Sequence, residues 1–261
     1  MSENLINVEI KKKTAIITFS RPTLYNAMNL EMKKQITKQI KSFEKDAEVK
    51  AIILTGEGKA FCSGQDLNDR SIQKNQGPID LGHTLEKEWL PLIKAIHQSS
   101  KPILAAINGV AAGAGLSIAL ACDLIWSKPQ VKFVSGFSKL GLAPDAGSTQ
   151  IISRALGRQK AYEFFLLGSP LASEQMLNYN LINGISESPL EHCLEISEQI
   201  ASMPPLSVKH IKQNILFSLD HSREENYTQE VSTQRFLGSS EDYGEGVKAF
   251  QEKRSPQFKG K

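Results

Sequence analysis

The stretch KPILAAINGVAAGAGLSIALACD, Lys101 to Asp123, joins two different hydrophobic patterns through a run of glycines. Its first part, KPILAAING, is a short continuous apolar run stopped by Gly109, which reads as a buried strand. Its second part, NGVAAGAGLSIALACD, places small residues where a strand gives way to a helix, and the first turn of a helix leaves backbone N–H groups without intrahelical partners. The same grammar occurs earlier in the chain, where KAIILTG (Lys50–Gly56) is a strand ended by glycine and AFCSGQDL (Ala60–Leu67) follows after a short loop. Two such turns facing one another can aim N–H donors at one oxygen, the arrangement that stabilises an enolate or oxyanion. The alternative is that the glycines only permit tight turns and close packing.

Outward from these strands the chain alternates strand and helix. Short alternations at Val8–Ile10 and Ala15–Phe19, separated by KKKT, predict a hairpin. Met32, Ile36, Ile40 and Phe43 recur at helical spacing, with Asn29 as N-cap and Glu31 in the first turn. LEKEWLPLIKAIHQS restores helical periodicity before the strand at Ile103. Strands alternating with helices imply an α/β fold built from crossover units. Beyond Ile151 helical segments follow one another, so the chain divides into a core of residues 1–200 and a helical region of residues 201–261, with SMPPLS as the hinge. That amphipathic tail is suited to packing on a neighbouring subunit. No internal repeat is visible.

With 261 residues, 40% hydrophobic and 23% charged, a sizeable core is available. The net charge of +3 is spread among mixed signs, which gives no nucleic-acid footprint. Cys62, Cys122 and Cys193 are widely spaced and odd in number, and the five histidines form no cluster, so a reduced compartment and no metal site are expected. No window reaches the ~18 to 20 apolar residues of a membrane helix, and the polar N-terminus is not a secretory signal. The expectation is a cytoplasmic protein. GVAAGAG lacks G-x-G-x-x-G spacing, no G-K-[ST] occurs, and FCSGQDL is not a G-x-S-x-G elbow.

One carboxylate remains to be placed. In LGLAPDAGSTQ, Leu140–Gln150, Asp145 stands between a proline and a small-residue turn. By itself this reads as turn or capping duty. Polar residues 70–82, RSIQKNQGPIDLG, form a loop suited to a lid or to nothing more.

Taken together, SRPTLYNAM, AFCSGQDL, NGVAAGAGLSIALACD, FSKLGLAPDAGSTQ and EGVKAFQEKRSPQFKGK resemble the crotonase, or enoyl-CoA hydratase/isomerase, superfamily, in register over nearly the whole chain. The resemblance implies a spiral of ββα turns followed by a helical trimerisation region, an acyl-CoA thioester as substrate with no separate cofactor, and a homotrimer or dimer of trimers. It assigns the two oxyanion donors to the backbone N–H groups of Gln65 and Ala114. It lines the CoA site with Thr23, Leu24 and Tyr25 along the chain of the ligand and with Ser63, Gln65, Asp66, Leu67 and Asn68 at the adenine.

Family hydratases carry two glutamates, at positions filled here by Ser117 and Phe137. Hydration needs one group to activate water and another to deliver a proton, so it is disfavoured. Isomerase members place an aspartate where Asp145 stands, which makes Asp145 the expected proton shuttle. FCSGQDLNDR and DYGEGVKAFQEKRSPQF are most similar to the branch that converts the 1,2-epoxide of phenylacetyl-CoA to an oxepin and also shifts Δ3 double bonds to Δ2. Ser148 departs from the usual glycine and either narrows the Asp145 turn or caps the next helix. Asp66 and Asp123 read as structural, Tyr25 and Trp89 as core aromatics or acyl contacts, and Lys253 and Arg254 as CoA-phosphate ligands or a solvated helix end.

Overall fold

The hairpin forms as its alternation predicts: β1 (Ile6–Lys11) pairs antiparallel with β2 (Thr14–Phe19), Ile6 opposite Phe19. The computed structural model describes residues 4–69 and 80–261 of the chain. Helix α1 (Leu30–Lys45) starts where Asn29 caps it, its side chain accepting from the Met32 amide at 2.9 Å, and buries Met32, Ile36, Ile40 and Phe43. Strand β3 (Ala51–Gly56) then runs parallel to β2, and β4 (Ala60–Cys62) leaves for a second sheet.

The next helix runs from α2 (Leu81–Thr84) through a π turn at Leu85–Trp89 into α3 (Leu90–Gln98). Pro91 has no N–H to offer the turn before it, and the Leu90 amide reaches back five residues to Leu85. The unit repeats with β5 (Ile103–Ile107), β6 (Val110–Ala112) and α4 (Ala114–Ala121), and again with β7 (Leu124–Ser127), β8 (Lys132–Val134) and α5 (Ser148–Leu167), which kinks at Gly157. Each turn gives one strand to each of two sheets and then a helix. The crossover reading is thereby refined to ββα units.

Strand β9 (Leu171–Ala172), α6 (Ser173–Asn178) and β10 (Gly184–Ile185) complete the sheets, ordered β1-β2-β3-β5-β7-β10 and β4-β6-β8-β9. The parallel strands β2, β3 and β5 of the larger sheet are buried on both faces, whereas the antiparallel edge strand β1 is largely exposed. Ile52 and Leu54 enter the main core, whereas Ala51 and Ile53 meet Cys193 and Leu194 of α7 (Pro189–Ala201) on the other side. Helices α8 (Pro205–Asp220), α9 (Arg223–Gly238) and α10 (Glu241–Glu252) form the C-terminal region. Lys212 ties α8 to the core, donating to Asp123 Oδ2 and to the Ile96 carbonyl, each at 2.8 Å. Asp123 also accepts from the Ile103 amide at 2.7 Å, the structural duty its sequence context predicts.

Candidate active site

The two glycine turns meet. A Cβ on Gly115 would lie 2.2 Å from the Cys62 carbonyl oxygen, and one on Gly64 would lie 2.9 Å from the Ala112 oxygen and 3.3 Å from the Ala114 nitrogen. Only glycine allows the α4 N-terminus to lie this close to the end of β4. Ala114 is the first residue of α4, after Gly113 in a left-handed conformation (φ 53°), so its N–H has no intrahelical acceptor. Gln65 is held by its neighbours: the Gly64 carbonyl accepts from the Met28 amide at 2.8 Å, and the Asp66 amide donates to the Met28 carbonyl at 3.0 Å. Among the described residues neither the Gln65 nor the Ala114 amide has an acceptor.

The segments expected to hold CoA lie side by side. Ser63 donates its amide to the Tyr25 carbonyl at 3.0 Å and its hydroxyl to the Leu24 carbonyl at 3.3 Å. Arg21, which sequence reading did not single out, pairs with the buried Asp66 at 2.9 Å and locks the two segments together. Asp66 also accepts from the Asn68 amide at 3.0 Å, so its carboxylate is the turn-former it was expected to be. Asn26, equally unremarked in the sequence, sits at φ 55° and spends its side chain on the Arg21 amide and the Glu57 and Ala60 carbonyls. Its amide is the reason SRPTLYNAM folds back onto the strand ends. Thr23, Leu24, Tyr25, Leu67 and Asn68 are exposed at this rim. Tyr25 is 56% exposed, which excludes the core role for it, whereas Trp89 is buried.

Asp145 precedes α5 and is half-buried, but the cap position of that helix falls on Gly147. What fixes the turn is its main-chain oxygen. That oxygen accepts from the Ser148 amide at 3.1 Å, the Ser148 hydroxyl at 2.8 Å and the Ser117 hydroxyl at 3.2 Å. Both serines are buried. Ser148 therefore closes the Asp145 turn, and Ser117 ties that turn to the helix that begins with Ala114. Phe137 is buried, its carbonyl accepting from the Leu140 and Leu142 amides.

The remaining residues singled out in the sequence have these surroundings. Arg254 gives its guanidinium to both Glu245 oxygens, at 2.7 and 2.9 Å, and to Glu252 at 2.7 Å, holding the Glu245 carboxyl down at about 2 and bracing the C-terminal segment. Lys253 is the left-handed C-cap of α10. The three cysteines are buried free thiols, and burial pushes Cys62 up to about 12. Among the described residues no cluster of metal-ligating side chains occurs, and no helix is long and apolar enough to cross a membrane. Of the polar loop, residues 70–79 lie outside the described residues, while Asp80 caps α2 by accepting from the His83 amide at 2.9 Å.

A ββα spiral whose two glycine turns present unbonded amides beside one carboxylate-bearing turn defines a fold for thioester chemistry. Residues 9–261 match the model of the family described as enoyl-CoA hydratase/isomerase, and the chain belongs to that family. It is 38% identical over 97% of both chains to the 1,2-epoxyphenylacetyl-CoA isomerase of Escherichia coli K12. It is 32% identical to the (E)-benzylidenesuccinyl-CoA hydratase of Thauera aromatica, over 98% of this chain and 99% of that one. Its fold superposes on the crystal structure of an enoyl-CoA hydratase from Polaromonas sp. JS666 with a TM-score of 0.92 at 28% identity, covering 97% of this chain and 99% of that one. The chain is a CoA-thioester enzyme of this family, whose named members include both isomerases and hydratases.

Proposed function

We propose that this enzyme is an acyl-CoA isomerase that converts the ring 1,2-epoxide of phenylacetyl-CoA to its oxepin isomer, shifts Δ3-enoyl-CoA to Δ2-enoyl-CoA, or does both. The thioester oxygen takes up negative charge between the Gln65 and Ala114 amides, which are preorganised donors. Asp145 removes a proton from one carbon of the acyl group and returns it to another, so no net proton or water enters the product. One observation carries this reading: at the position of a hydratase glutamate, Ser117 instead hydrogen-bonds the Asp145 turn at 3.2 Å. One carboxylate is thereby brought to the oxyanion turn without the acid–base pair that hydration needs.

Thr23, Leu24, Tyr25 and the Ser63–Asn68 segment form the CoA rim in this reading. The C-terminal helices leave Ile211, Ile215, Val231, Phe236 and Phe250 exposed, and Phe250 is 86% accessible. Such an apolar face supports assembly as a homotrimer or a dimer of trimers. The substrate test is a comparison of purified enzyme on the ring epoxide, a Δ3-enoyl-CoA and a trans-2-enoyl-CoA in water. Turnover of the first or second without hydration of the third is expected. Efficient hydration of the third with neither isomerisation would overturn the assignment.

A further inference from the structure

Lys33 is the one charged side chain buried on α1, at 1% exposure, between the apolar positions Met32 and Ile36. A buried ammonium is costly unless it is paired and hydrogen-bonded. Among the described residues, its partners include groups from two places. Glu88, in the π turn, supplies a carboxylate in direct contact, and the Lys33 Nζ lies 4.6 Å from the centre of the Trp89 ring. Lys33 Nζ also donates to Gln65 Oε1 at 3.0 Å, and the buried Trp89 Nε1 donates to that same oxygen at 3.1 Å. The Gln65 side-chain amide completes the set by donating to the Asp66 carbonyl at 3.1 Å.

We infer that Lys33 and Trp89 are positioning residues for the oxyanion site: together they clamp the side-chain oxygen of Gln65 and thereby fix the direction of its backbone N–H. The inference rests on the reading of Gln65 as an oxyanion donor. The peptide on either side of Gln65 is already pinned to Met28, and the side chain adds the third anchor, so the Gln65 amide cannot turn without breaking one of them. One of the two anchoring donors is charged, which makes its hydrogen bond the stronger kind. A tie between α1 and the following helix would need only the Lys33–Glu88 pair, and buried ion pairs add little stability over apolar residues of the same size. Convergence of both donors on one oxygen of Gln65 is what a positioning role requires.

The experiment uses an acyl-CoA carrying a ¹³C-labelled thioester carbonyl, whose infrared band shifts to lower frequency when donors polarise it. Wild type is compared with the charge-balanced Lys33→Met/Glu88→Gln, with Trp89→Phe and with Gln65→Met, all checked for native circular dichroism. The expected result is a smaller carbonyl shift in all three variants, with kcat down about tenfold and KM within about twofold. Adding Lys33→Met/Glu88→Gln to Gln65→Met should cost nothing more, because the clamp then has nothing to hold. Trp89→Phe decides the matter if the charge-balanced variant does not fold. A wild-type shift that persists undiminished in the folded variants would overturn the clamp and leave the oxyanion reading standing. No shift in the wild type would overturn the oxyanion reading, and the clamp with it.

Discussion

The hydroxyl of Ser148 donates to the main-chain oxygen of Asp145 at 2.8 Å, closing the turn from which the carboxylate projects. Ser117 reaches the same oxygen from α4. Each bond is worth about 1 kcal/mol net, so Ser148→Ala should lower stability by about that amount. Because the Asp145 turn loosens, kcat should fall several-fold with KM unchanged, and Ser117→Ala/Ser148→Ala should fall further. Steady-state kinetics beside thermal melts check this, and unchanged kcat in the folded double variant would show that the turn holds without them.

Gly115→Ala places a methyl where the Cys62 carbonyl oxygen already lies, 2.2 Å from the new carbon. Backbone must then move at the junction of the two glycine turns. Overpacking of this kind costs about 1–3 kcal/mol. Urea melts should show that loss, and the surviving folded enzyme should lose kcat by more than tenfold, since displaced donors stabilise an oxyanion poorly.

His97, in the last turn of α3, lies near the Lys212–Asp123 pair. Burial, and then the Lys212 ammonium, hold its imidazole below its ordinary value of 6.5, against the opposing pull of Asp123. A depressed histidine stabilises the fold above its unfolded-state value, and that contribution is lost as pH falls through the lower folded-state value. The melting temperature should therefore drop as pH falls below about 6.5, and His97→Gln should flatten the slope there. An identical slope in the variant would exclude His97 as its source.

Strands and helices were legible because their periodicity is local: Asn29 caps α1, and KAIILTG and KPILAAING become β3 and β5. The ββα repetition came from the family resemblance and not from periodicity, since the second strand of each turn is as short as Ala60–Cys62 or Val110–Ala112 and no residue pattern recurs with it. At the site, the glycine turns could be read because a close backbone approach demands glycine itself. Lys33 could not, because its meaning depends on Glu88, 55 residues away, and on a π turn set by Pro91. Arg21 was hidden for the same reason, its partner Asp66 lying in a different segment. Tyr25 misleads because an aromatic ring usually fills a core, whereas here a left-handed backbone (φ 52°) turns it out to the rim.

The most direct test of Asp145 as the proton shuttle is the turnover of Δ3-enoyl-CoA and of the phenylacetyl-CoA ring epoxide by Asp145→Asn, measured beside its affinity for a product CoA thioester. Isomerisation should fall by about 10²-fold or more, in the range of losing a general acid–base group, while affinity stays within about twofold. Full activity in Asp145→Asn would contradict it, because the proton would then be carried by some other group.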